Sequence, residues 1–191
     1  MNRRDRKKEQ TRSRLLQAAI SQFAKRGLYA TRIEDITETA DVAKGAFYNY
    51  FDSKHGLIAA LLAEGIALFE AGYLDGISQE IPAPERIRAL VEKQETFWQD
   101  HPEFALLFHQ ARGLLLLERN ESKLKNAFRA YLECIARNLQ GPEDQATSQS
   151  EQRIQQAAAL AGLIAGYRSF AVAAGLPMDV QYVVQIAVSG V

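Results

Sequence analysis

Apolar residues recur three and four positions apart along most of this chain, and that spacing predicts α-helices. The N-terminal part is predicted to form four of them, at about residues 11–26, 31–39 and 43–50 and then from Lys54 onward. Gly27 is the predicted C-cap of the first. The second helix is placed by a capping-box spacing, in which the Thr31 hydroxyl and the Glu34 carboxylate bind backbone N–H groups at the helix start. A short turn around Asp41 joins it to the third helix.

The same periodicity continues beyond a loop that ends near Pro84, where the prolines and glycines indicate a break. Further helices are predicted at about residues 84–100, 102–117, 122–139, 151–174 and 178–189, with a polar linker at 141–150. No segment shows the sustained alternation of apolar and polar positions that is typical of a strand. The pattern predicts an all-α fold.

Charge divides the chain into two unequal parts. Its 23 Lys and Arg balance its 23 Asp and Glu, so the net charge is zero. Residues 1–57, however, hold 12 basic and 7 acidic side chains, a net of +5, which leaves −5 for residues 58–191. A basic end on an acidic body favours a polyanionic partner at that end.

The first ten residues are too polar to pack and lack the apolar run of a secretory signal. We expect a flexible basic arm at residues 1–10. Two interpretations stay open for it: a solvated tail, or an extra contact with DNA through phosphates or the minor groove.

Other classes of protein are disfavoured. Arg168 interrupts the apolar stretch 157–174, so no membrane partner is expected. The single cysteine, Cys134, fits a reducing compartment, and the cytoplasm is the expected location. The sequence has no nucleophile elbow, phosphate loop or dinucleotide fingerprint and no metal-ligand spacing, so we expect no enzyme, cofactor or metal.

Residues 27–57 resemble the DNA-binding domain of the TetR family of transcriptional regulators. The resemblance rests on Gly27, Thr31, Ile36, Ala40, Val42, Lys44-Gly45, Phe47-Tyr48, Tyr50-Phe51, Lys54 and Leu57. It implies a helix-turn-helix domain at residues 11–56 and a helical ligand-binding and dimerisation domain at 57–191. Three positions depart from the family pattern: Asp41 stands in place of a common glycine, Ala43 in place of a capping hydroxyl, and Arg32 in place of a small hydroxyl.

The resemblance also implies which residues meet double-stranded DNA. The helix N-termini face phosphates, where Thr31, Arg32 and Lys44 position the protein. Without a side chain at Gly45, the third helix can approach the duplex closely. The predicted contacts are Thr31, Arg32, Lys44, Gly45, Ala46, Tyr48, Asn49, Tyr50 and Lys54. For Tyr50, both a core ring and a phosphate-binding hydroxyl stay open.

The C-terminal helices supply a candidate dimer interface, because one small domain reads only half of a palindrome. Its predicted residues are Ala157, Leu160, Ile164, Tyr167, Ala171, Val180 and Val184, with an internal core helix as the alternative. Aromatic side chains between residues 87 and 139 suggest a pocket for a hydrophobic or aromatic effector. Trp98, His109 and Tyr131 are the candidate ligand contacts, with core packing as the alternative for each.

Together these features predict a ligand-responsive regulator, expected to be a repressor that binds a palindromic operator as a homodimer. The alternative is a helix-turn-helix adaptor or small-molecule-binding protein that does not bind DNA specifically. Residue types alone name neither the operator, the regulated genes nor the effector. They also leave open whether the effector releases DNA or promotes binding.

Overall fold

The structure is a computed structural model that describes residues 2–117, 122–141 and 150–189. Within them lie nine α-helices and no strand, which confirms the all-α prediction. The helices are α1 Arg3–Ala30, α2 Ile33–Thr39, α3 Lys44–Phe47, α4 Lys54–Phe69, α5 Ala83–Asp100, α6 Pro102–Leu117, α7 Ser122–Leu139, α8 Ser150–Ala173 and α9 Val180–Ser189. Most of the predicted linker, residues 142–149, falls outside the described residues.

Contacts group the chain into two compact units. The first comprises Met1–Gly65 and Pro102–Ala127, and the second comprises Ile66–His101 and Phe128–Val191. This grouping differs from the boundary expected after residue 56, because α6 packs on α1 and therefore joins the first unit.

The core of the first unit is built by apolar faces of its N-terminal helices. Leu15, Leu16, Ala19 and Phe23 of α1 are at most 3% exposed, at the helical spacing that places them on one side. Ile36 of α2, Phe47 of α3, and Leu57 and Leu61 of α4 are buried in the same unit. These are the positions that the periodicity predicts as inward.

Helix α1 is longer than the sequence predicts at both ends. It begins at Arg3, so the segment expected to be a flexible arm is helical from its third residue. The predicted C-cap Gly27 has φ +79°, a left-handed conformation that glycine adopts without strain, and it kinks α1 before Leu28 continues to Ala30.

Helix α5 lies at the centre of the second unit, with apolar and polar side chains buried together. Tyr131 of α7 donates a hydrogen bond to Gln94 Oε1 at 2.7 Å. Glu95, 3% exposed, forms an ion pair with Arg168 of α8, whose guanidinium carbon lies 5.6 Å from the centroid of the Trp98 ring. Burial raises the pKa of the Tyr131 hydroxyl.

Most residues of the predicted dimer stripe are buried within their own protomer, which favours the core-helix alternative. Five of its members are at most 8% exposed in the single chain: Ala157, Leu160, Ile164, Ala171 and Val184. Tyr167 and Val180 are half-buried. The spacing marks the face of α8 and α9 that packs in the core, which is the alternative that the sequence left open. These helices carry apolar residues on more than one side, so spacing alone does not tell a core face from an interface.

Among the described residues, one helical stretch, Lys54–Leu74, is long and apolar enough to cross a membrane. It consists of α4 and the π-helical turn Glu70–Leu74 that continues it. Its residues Leu57, Ile58, Leu61 and Phe69 are at most 1% exposed. These residues form the buried face of the helix, which is the apolar face expected of a helix that packs on a protein core.

Candidate nucleic-acid interface

The turn between α2 and α3 is held by backbone and arginine contacts. Asp41 takes the left-handed conformation with φ +50°, and Val42 N–H donates to the Thr37 carbonyl at 2.9 Å. The Arg14 guanidinium donates to the carbonyls of Ala40 and Asp41 and lies 3.2 Å from the Asp41 carboxylate. Helix α1 therefore fixes the turn that aims α3.

Helix α3 is shorter than the predicted range 43–50. Its helical residues end at Phe47, and tighter hydrogen bonds continue the chain, from Asn49 N–H to Ala46 and from Tyr50 N–H to Phe47. Ala43 precedes the helix and has no side chain that could cap it.

The side chains of this segment divide into an inner and an outer set. Phe47 and Phe51 are buried at 0% and 6% exposure, with ring centroids 5.6 Å apart. Tyr48 is 52% exposed, and its ring meets that of Phe47 edge-on. The outer set comprises the predicted DNA contacts Lys44, Gly45, Tyr48 and Asn49, with Ala46 and Tyr50 half-buried between the two sets.

Gly45 is open to its surroundings. A Cβ built on it would meet no other atom within 4 Å. The free protein therefore does not need a glycine here for packing. A close approach by a partner would supply a reason for it.

Two predicted DNA contacts are used inside the protein instead. Thr31 is 1% exposed, and its hydroxyl donates to the Gly27 carbonyl at 2.8 Å. The Lys54 ammonium donates to the carbonyls of Leu28 and Thr31 at 2.9 and 3.1 Å. Both side chains tie the end of α1 to the helices that follow, so in the free protein they position these elements, and their contact with phosphate stays a proposal.

The start of α2 lies one residue later than the sequence predicts. The Asp35 carboxylate accepts from Arg32 N–H at 2.7 Å, and this bond lowers the pKa of Asp35. Asp35 on the Arg32 N–H therefore supplies the carboxylate half of a capping box in place of Glu34 on Thr31, and the Arg32 side chain forms no capping hydrogen bond. Arg32 itself is exposed, as a DNA contact requires.

Glu34, freed from capping, pairs with Lys44 across α2 and α3. Their hydrogen bond lowers the pKa of Glu34 and raises that of Lys44, so both are charged at neutral pH. Both side chains remain about half exposed, at 49% and 55%. A phosphate that approaches Lys44 would have to compete with the Glu34 carboxylate.

We expect Glu34→Gln to strengthen binding to duplex DNA about two- to fivefold, because Lys44 then no longer has to break an ion pair to contact a phosphate. The gain is small because an exposed ion pair contributes little free energy. Glu38→Gln, the same charge change on α2, is the matched control. Fluorescence anisotropy titrations at one salt concentration compare the two. Equal affinities for the two variants would show that only the overall charge matters.

A glutamine of α6 completes the junction at the kink of α1. The Gln110 side-chain oxygen accepts from Leu28 N–H at 2.9 Å, directly after the left-handed Gly27. The helical ladder is interrupted there, so this N–H needs a partner from elsewhere. The sequence offers a signal for it, since Gln110 is a lone amide in an apolar stretch of α6.

We expect Gln110→Leu to lower the free energy of unfolding of the first unit by about 1–3 kcal/mol, because it leaves the Leu28 N–H without its acceptor. Gln110→Glu keeps the accepting oxygen and should lose much less. Urea unfolding followed by circular dichroism measures both. Equal losses in the two variants would rule out the hydrogen bond as the cause.

The three candidate ligand contacts belong to different units. Trp98 and Tyr131 lie in the second unit at 2% and 5% exposure, whereas His109 is a half-buried residue of the first unit. Among the described residues, no group of three or more His, Cys, Asp or Glu could hold a metal ion.

Comparison with known proteins supports a regulator of transcription. The family model "Bacterial regulatory proteins, tetR family" matches residues 15–61. The HTH-type transcriptional repressor KstR2 of Mycobacterium tuberculosis is 30% identical over 124 residues, which are 60% of this chain and 61% of that protein. The HTH-type transcriptional regulator TtgR of Pseudomonas putida is 43% identical over 54 residues, 28% of this chain and 26% of that protein.

A solved structure shares the fold over nearly the whole chain. It is the transcriptional regulator FadR from Bacillus subtilis in complex with stearoyl-CoA, with a TM-score of 0.68 and 19% identity over 94% of this chain and 98% of that one. This chain spans 59–64% of the length of the curated relatives that it matches over the longest stretches.

Proposed function

This chain belongs to the TetR family of transcriptional regulators, and on that premise we propose that it is a cytoplasmic, ligand-responsive repressor. It binds a palindromic operator as a homodimer and is released by a small hydrophobic or aromatic effector. One observation carries the proposal: α3 and the turn that follows it expose Lys44, Gly45, Tyr48 and Asn49 at the basic end of the chain, while Phe47 is buried.

The exposed residues fall into two groups, those that suit the phosphate backbone and those that suit the major groove. Arg32 and Lys44 carry charge for the phosphate backbone, which positions the protein without reading sequence. Gly45 and Ala46 allow α3 to lie close in the major groove, and Asn49 can form hydrogen bonds with a base edge there. Tyr48 reaches a phosphate or a thymine methyl, and the Tyr50 hydroxyl a phosphate.

Dimerisation is proposed through apolar side chains of α8, α9 and the loop between them that the single chain leaves exposed. Large apolar side chains lie on it and on the loop between the helices, with 41–79% exposure: Phe170, Val172, Leu176, Tyr182 and Val188. A soluble monomer rarely exposes so many together. A second copy is the partner that a palindromic operator requires, since its half-sites lie about 34–36 Å apart.

A cleft of about 480 Å³ in the second unit suits the proposed effector. Ile87, Leu163 and Ile186 are among its apolar walls, and Gln156 adds one polar group. Ligand sites are commonly about 300–1,000 Å³, apolar, and equipped with few polar groups. Trp98 and Tyr131 are not among the described residues that line it, and their contact with ligand stays a proposal, as does that of His109.

The effector is proposed to act through α6. This helix follows α5 directly in the chain, and its Gln110 binds the Leu28 N–H next to the carbonyls that hold Lys54. A shift of α6 would therefore disturb the junction that positions α2 and α4. The resulting change in the distance between the helix-turn-helix domains of the two protomers would lower the affinity for the operator.

The alternative is an adaptor or small-molecule-binding protein with a helix-turn-helix that does not bind DNA specifically. The exposed cations and the open Gly45 favour a DNA binder, because an adaptor gains nothing from either.

Two measurements on the wild type and on Phe170→Glu test the proposal. Sedimentation velocity gives the oligomeric state, and titration with sheared genomic DNA over a range of salt concentrations gives the affinity. The proposed repressor sediments as a dimer and binds with an affinity that falls steeply with salt, about 0.9 in slope for each phosphate contact. Phe170→Glu should sediment as a monomer and bind more weakly. A monomeric wild type without salt-dependent binding would favour the alternative.

A further inference from the structure

The N-terminal extension of α1 is a capped helix. The Asn2 side-chain oxygen accepts from the N–H groups of Arg4 and Asp5 at 2.7 and 3.0 Å, and the Asp5 carboxylate accepts from Asn2 N–H at 3.3 Å. This reciprocal capping box stabilises the first turn. Residues 2–10 are all exposed, so packing against the core does not explain why the helix continues there.

Charge is sorted around this extension. Asp5, Glu9 and Arg12 follow one another at spacings of four and three, which places them on one face. That face joins α4, where the Arg12 guanidinium lies 2.7 Å from the Glu64 carboxylate. Five cations occupy the other positions: Arg3, Arg4, Arg6, Lys7 and Lys8.

One cationic face of α1 runs toward the turn that leads into α3. Arg3, Lys7 and Arg14 are four and seven residues apart, so they share a face of α1. Arg14 contacts the Ala40 and Asp41 carbonyls in the turn that leads into α3. From Arg14 back to Arg3 the helix rises about 16 Å at about 1.5 Å per residue.

We propose that this cationic face, Arg3 and Lys7 beyond Arg14, is a rigid phosphate-binding extension that contacts duplex DNA flanking each operator half-site. The proposal rests on the proposed DNA-binding function and adds a second contact to it. At about 3.4 Å per base pair, 16 Å corresponds to about five additional base pairs on each side.

The helical form selects between the two contacts that the sequence leaves open. An α-helix with its side chains is about 10–12 Å across, whereas the minor groove of B-DNA is about 6 Å wide. The extension therefore cannot enter the minor groove and binds the phosphate backbone. It adds affinity and length to the footprint without reading bases.

The test uses two duplexes that share the operator sequence selected by the full chain, one ending at the palindrome and one carrying about five extra base pairs on each side. The extension predicts that the wild type binds the longer duplex on the order of tenfold tighter at low salt, with a salt slope steeper by about four, since each of the two protomers adds two phosphate contacts at about 0.9 each. Equal affinities for both duplexes would overturn the extension while leaving the proposed function intact. Failure to bind either duplex would overturn the proposed function itself.

Three variants separate the helical face from charge alone. Arg3→Gln with Lys7→Gln should abolish the preference for the longer duplex. Arg4→Gln with Lys8→Gln, an equal charge change at equal spacing on another face, should keep most of it. Gln10→Pro keeps all the charges but breaks α1 behind the extension, and should lose the preference. Equal losses in the two double variants, with the preference retained in Gln10→Pro, would show a flexible arm and overturn the proposal.

Discussion

Replacing Gly45 by alanine is expected to weaken operator binding about ten- to a hundredfold while leaving the free protein at least as stable. The added methyl meets no atom within 4 Å in the free protein. Alanine also favours a helix over glycine by about 0.5–1 kcal/mol. In the complex the same methyl would stand between α3 and the duplex, and a lost base contact costs about 1–3 kcal/mol.

The control is Gly113→Ala. Gly113 lies in α6, and a Cβ on it likewise meets nothing within 4 Å. This substitution should leave DNA affinity unchanged, whether measured by anisotropy or by gel shift. Thermal unfolding of both variants completes the comparison. Equal affinities for Gly45→Ala and the wild type would mean that α3 does not approach DNA closely at this position.

Replacing Phe47 by alanine should have the largest effect on the stability of the helix-turn-helix domain. Phe47 is fully buried on α3 and packs against the rings of Tyr48 and Phe51 at 5.3 and 5.6 Å. Phe→Ala in a core costs about 3–5 kcal/mol, from lost burial and from the cavity left behind. Domains are stable by only about 5–15 kcal/mol, so Phe47→Ala should remove a large share of the free energy of unfolding of the first unit and lower its thermal midpoint clearly.

Two neighbouring changes test whether α3 is divided into a structural and a binding side. Phe47→Leu keeps most of the volume and should cost less than about 1.5 kcal/mol. Tyr48→Ala removes an exposed side chain, so it should cost about 1 kcal/mol or less and yet weaken DNA binding on the order of tenfold. Urea unfolding and DNA titration of the three variants check this. A strongly unfolded Tyr48→Ala would contradict the outward assignment of that ring.

The fold followed from periodicity because helices that bury one side repeat their apolar residues every three to four positions. Local signals placed the left-handed Gly27 and the turn at Asp41 correctly. They failed by one residue at α2, where both Glu34 and Asp35 can accept from a backbone N–H. The contact of Lys44 with Glu34 explains the choice, and it depends on α3, which the local sequence does not show.

The roles of Thr31 and Lys54 could not be predicted from their residue types. A hydroxyl and an ammonium suit phosphates as well as backbone carbonyls, and the kink at Gly27 decides between them by presenting free carbonyls. The Gln110 contact joins positions 82 residues apart, and no local pattern encodes such a distance.

The stripe on α8 was found by its regular spacing, and that spacing marks the core side, which holds Ala157 and Ile164. The exposed apolar residues, such as Phe170 and Val172, have no regular spacing. Only the burial of each residue in the folded chain separates the two.

The most direct test of the account is selection of bound fragments from random duplex DNA by the purified full chain, with the Gly45→Leu variant run in parallel. The account predicts that the wild type enriches one palindromic motif, with half-sites one helical turn apart, and that the variant enriches none. Enrichment of no motif by the wild type, or of the same motif by both proteins, would contradict the claim that α3 reads an operator.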